Sequence, residues 1–92
     1  MWITCINKDE QKFSVNTDKI SAFYIQYITF KNEFGKNMNA YAVCVVIPHL
    51  NEKGKIIAER MEIADDKNFF ETEEEATKYL DEFTKKLNAE KI

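Results

Sequence analysis

The hydrophobic pattern of this chain changes period once, at Thr72. Upstream, apolar residues come in alternating or continuous short runs; downstream, Ala76, Tyr79, Leu80, Phe83 and Leu87 recur at steps of three and four. Alternation distributes side chains over the two faces of a strand, whereas steps of three and four gather them on one face of a helix. The expected fold is therefore α+β: an antiparallel meander of four to five strands within residues 1–64, with one C-terminal helix, about 73–88, packed on one face. At 92 residues the chain is long enough for one domain with one modest core.

Strands are expected at residues 1–6, around Phe13–Val15, at 20–30, at 40–47 and at 55–63. The 20–30 run would span ~36 Å, so it either bends or projects as one arm of a hairpin. Its turn is Asn32-Glu33-Phe34-Gly35-Lys36-Asn37, in which Gly35 can take positive φ. The 40–47 run is apolar on both faces, which suits a central strand, and Pro48 should end it because proline cannot donate to a ladder. Asn51-Glu52-Lys53-Gly54 makes the next turn, and the 55–63 run alternates with charge, as a strand nearer the edge would. Thr72 followed by Glu75 reads as a capping box. Glu73 to Glu75 suit the positive end of the helix dipole, and Lys85, Lys86 and Lys91 its negative end.

Several chemistries lack the residues they need. His49 is the sole histidine, follows Pro48 in an expected turn, and has no partner in view for acid–base or nucleophilic work. Cys5 and Cys44 sit in apolar runs; they read as buried thiols, and a disulfide would require neighbouring strands. Cys44 lies among valines, which raise a thiol pKa and remove its nucleophilicity. No zinc, calcium or phosphate-loop pattern occurs, so no metal, cofactor or enzymatic activity is expected. Net charge is −3, and Arg60 is the lone arginine, which disfavours sequence-specific nucleic-acid reading. The longest apolar run, 40–47, is too short to span a membrane, and no targeting segment is read; a cytoplasmic location is expected.

Two surfaces remain as candidates. The first is the acidic, aromatic junction of Asp65, Asp66, Phe69, Phe70, Glu71, Glu73 and Glu74, read either as a solvated helix start or as a docking surface for a protein partner with a basic surface. The second is the sheet face. One helix covers one side, yet Tyr24, Tyr27, Phe30, Phe34 and Tyr41 cannot all lie under it, so sheet curvature, the first strand, a second copy or a partner should cover the rest.

The opening Met1-Trp2-Ile3, Lys8-Asp9 and Val15-Asn16, together with the closing Thr72, Glu74-Glu75-Ala76 and Leu80-Asp81-Glu82, resemble short uncharacterised proteins of low-GC Gram-positive bacteria and their phages and mobile elements. The abundance of lysine, isoleucine, asparagine and aromatics agrees with AT-rich codons. The resemblance implies a small sheet with a terminal helix and carries no activity across. The expected function is a non-enzymatic protein-interaction module, in its sharpest form an inhibitor of a host defence nuclease of the restriction or CRISPR type. The alternatives are a ligand module with a pocket between sheet and helix lined by Tyr24, Tyr41 and Tyr79, or a homodimeric structural protein.

Overall fold

The computed structural model describes residues 1–65 and 69–90, with Glu90 as backbone alone. Strands β1 (Trp2–Ile6), β2 (Lys12–Asn16), β3 (Ala22–Lys31), β4 (Asn37–Leu50) and β5 (Ile56–Ile63) are followed by helix α1 (Glu73–Glu90). They form one antiparallel five-stranded sheet in the order β2-β1-β5-β4-β3, with the helix on one face. Chain neighbours β1–β2, β3–β4 and β4–β5 pair as hairpins, and β1 joins β5 across the chain at Cys5–Ile63 and Ile6–Glu62.

Strand alternation builds the core. Ile3, Cys5, Val15, Val43, Val45, Met61 and Ile63 point to one face and are buried there against Ala76, Phe83 and Leu87 of α1. Phe23 meets Phe83 edge-on at 5.5 Å, and Phe70 meets Tyr79 at 5.2 Å. Each fully buried branched or aromatic side chain contributes roughly 1.5–3 kcal/mol of transfer free energy, so this face supplies most of the driving force. The molecule measures 42 × 36 × 17 Å. Sheet and helix account for its thin dimension, and no further layer lies over the other face among the described residues.

Several expectations are corrected. β4 continues through Pro48 to Leu50, and His49 lies opposite Ile57 in the ladder, not in a turn. The reason is phase. Even-numbered β4 residues direct their backbone groups toward β3, whose pairing begins at Ala22–Val46, so the donor missing at Pro48 faces no strand. β5 is the middle strand in the order, not a near-edge one. Its polar alternation is real locally, because from Ile56 to Met61 its side away from β4 has no strand beside it among the described residues. The helix runs two residues beyond Asn88, so Lys85 and Lys86 lie before its last turn, which holds no basic residue among those described; Lys91 lies outside the described residues.

The hairpin turns at 7–11, 32–36 and 51–55 share one design. In each, an asparagine side chain accepts from the backbone N–H two and four residues on: Asp9 and Gln11, Phe34 and Lys36, Lys53 and Lys55. The fourth position takes positive φ, at Glu10 (62°), Gly35 (75°) and Gly54 (76°). An Asx turn feeding a left-handed residue lets the short loop match the twist of its strands.

Candidate interaction site

Backbone and capping contacts anchor the described residues of the junction between β5 and α1. Ala64 N–H donates to the Thr4 carbonyl, and Thr4 N–H donates to the Asp65 carboxylate at 2.6 Å, extending the β1–β5 ladder by one side chain. Phe70 forms an antiparallel bridge with Tyr41, with both backbone bonds at 2.8 Å. Thr72 Oγ1 accepts from Glu75 N–H at 3.2 Å, the forward bond of the expected cap.

These contacts sort the candidate residues. Phe70 is 7% exposed and belongs to the core, so it cannot serve as a docking anchor; that expectation is corrected. Asp65 has a structural partner in Thr4. Asp66 lies outside the described residues. Glu71, Glu73 and Glu74 are exposed. Phe69, adjacent to a core residue in extended backbone, points to the opposite face, where it stacks on Phe30 with ring centroids 5.9 Å apart.

The five sheet aromatics do not share one face. Tyr24 and Phe30 lie on the helix-free side. Tyr27 and Tyr41 lie on the helix side, tilted against each other at 5.3 Å, with Tyr41 packed on the core. Phe34 occupies the 32–36 turn and is 84% exposed. The Phe30–Phe69 stack and the Tyr41–Phe70 bridge bring the acidic junction and the β3–β4 hairpin together, although roughly thirty to forty positions separate the paired residues in sequence. The outcome is one aromatic patch on the helix-free side, Phe30 (41% exposed) stacked on Phe69 (38%), from which the chain leads into the exposed Glu71, Glu73 and Glu74; Tyr27 (54%) is exposed on the helix side.

The expected pocket between sheet and helix does not assemble, because Tyr24 is on the opposite side of the sheet from Tyr41 and Tyr79. A cleft of about 610 Å³ lies instead along the unflanked stretch of β5, lined by Ile6, Asn7, Tyr24, Cys44, Arg60 and Glu62 among others. Its polar groups are turned on one another: the Cys44 thiol donates weakly to Gln26 Oε1 at 3.6 Å. Burial pushes the Cys44 thiol up to about 11, with the Glu62 carboxylate adding to the rise, and burial likewise raises Glu62. Tyr24 is raised by burial and by Cys44. Cys5 is pushed up to about 12 by burial and by Asp65. Both cysteines are free and buried, on opposite faces of the sheet.

Among the described residues no group of three His, Cys, Asp or Glu side chains could hold a metal ion, and no helix is long and apolar enough to cross a membrane. No protein-family model, curated protein or solved structure matches the chain.

Proposed function

We propose that the protein is a non-enzymatic interaction module that docks on a protein with a basic surface. The observation that carries this reading is the Phe30–Phe69 stack, in which two partly exposed rings join the sheet aromatics to the acidic helix start. Rigid aromatic surface supplies binding energy at low entropic cost, and Glu71, Glu73 and Glu74 beside it steer a cationic partner. The basic nucleic-acid channel of a host defence nuclease is a surface of this complementary kind. An amino-acid composition of the kind that AT-rich codons give, and the resemblance to phage and mobile-element proteins, support that narrower form.

The test is capture of partners from a lysate of a low-GC Gram-positive host, with the isolated pair then measured by calorimetry. A basic partner should bind the wild type, lose at least about tenfold in affinity with Phe69→Ala, and bind more weakly as salt rises. The double variant Glu73→Lys, Glu74→Lys changes only exposed positions and should weaken binding likewise. Retention of nothing, or of a partner indifferent to both variants while circular dichroism shows them folded, would sink the reading.

A further inference from the structure

β3 is an edge strand of ten residues with β4 on one side and no strand on the other among the described residues. The Asn32–Lys36 backbone bond fixes its phase. Even-numbered residues bond to β4, and Phe23, Ile25, Tyr27 and Thr29 direct their N–H and C=O groups outward. Exposed edges are commonly blunted by charge, proline, a bulge or shortness. From Ala22 to Phe30 this edge carries neither charge nor proline, and its register with β4 runs without interruption from Ala22–Val46 to Lys31–Asn37. The other edges differ. β2 is five residues long and starts at Lys12, and the unflanked stretch of β5 carries Glu59 and Arg60.

The uncharged run is centred on Gln26. We infer that β3 pairs antiparallel with β3 of a second copy of this chain about a twofold axis at Gln26, extending the sheet across two molecules. In that register Ile25 lies opposite Tyr27 of the second copy, Phe23 opposite Thr29, Tyr24 opposite Ile28 and Ala22 opposite Phe30. Every outward backbone group from Phe23 to Thr29 then finds a partner. Lys31 falls opposite Ser21 and meets no like charge. A twofold axis perpendicular to the sheet keeps both helices on one side, so each helix face remains covered as in the single chain. Shifting the register by two residues toward the C-terminus of the strand would place Lys31 opposite Phe23, burying a charge against an aromatic ring. The pairing takes Tyr27 and Phe30 into the ladder and leaves Phe69 and the acidic helix start outside it, so variants at Gln26 and at Phe69 test the two readings separately.

Gln26 supplies the test, because it is exposed and would sit directly across the axis from itself. Its own backbone groups bond to β4, so the self-pair is of the non-hydrogen-bonded kind, where side chains come closest. Gln26→Lys and Gln26→Glu would each set like charges opposite one another. Light scattering and sedimentation should show a two-copy species for the wild type and at least about tenfold weaker self-association for each variant alone. An equimolar mixture of the variants, one of them uniformly 15N-labelled, should recover a two-copy species containing one of each, read by native mass spectrometry, with circular dichroism showing that both variants fold. A wild type that stays a single copy overturns the inference, as does a dimer that either variant leaves intact, or a mixture that fails to recover association. A single-copy protein that still captures its basic partner refutes this pairing alone. A two-copy protein that captures none refutes the proposed function alone.

Discussion

Glu10 stands where the other two hairpin turns place glycine. Its φ of 62° costs an L-residue with a Cβ roughly 1 kcal/mol relative to glycine, partly offset by the greater freedom glycine has when unfolded. Glu10→Gly should raise stability by up to roughly 0.5 kcal/mol, seen as a melting temperature a few degrees higher; an unchanged or lower value would show that the turn is unstrained. At Gly35 there is open space for a side chain, so the positive φ of 75°, and not crowding, is what favours glycine there. The shared asparagine was legible in part. Asn, Gly and Lys recur at the same spacing in 32–36 and 51–55, where the glycines mark the turns, and Glu10 hides the third turn. The Phe69-Phe70 pair was legible as aromatic and no further. Adjacent residues of one type take opposite faces of an extended segment, and only the bridge to Tyr41 decides which is core.

At the scale of elements, the helix start was the best-determined feature. Thr72, Glu75 and the apolar steps that follow are local signals, and local signals act wherever the chain goes. Thr72→Ala leaves Glu75 N–H without its side-chain acceptor and should cost about 1 kcal/mol, measured as a lower urea midpoint with unchanged slope. The strands were found with blurred ends. The sequence predicts that β4 stops before Pro48, because proline cannot donate to a ladder where its nitrogen faces a neighbour. The sequence does not say where β3 begins to pair, and at Pro48 no neighbour is there. The same gap explains β5. Its charged alternation has the signature of an edge, and it marks the half of a middle strand that β1 does not reach.

For the molecule as a whole, the two buried thiols link the core to pH. The ordinary thiol value is 9.0, and burial raises Cys5 to about 12 and Cys44 to about 11. Above pH 9 the unfolded chain releases protons that the folded chain retains, so stability is full below pH 9 and falls as pH rises toward the folded values. Denaturation from pH 8 to pH 10.5 should show this decline, and Cys5→Ala should make it shallower whatever it costs at neutral pH; an equal slope would remove Cys5 as a cause. Composition and periodicity, which depend on nearest neighbours along the chain, determined that this protein is a sheet closed by one helix, where that helix starts, and that its thiols are buried. Tertiary structure alone decided that β1 lies against β5, that β3 is left as an uncharged edge, and that Phe69 reaches Phe30 to make one surface of two distant segments. Those outcomes depend on which strands meet across the sheet, and strand pairing is a long-range choice among alternatives that local patterning leaves nearly equal.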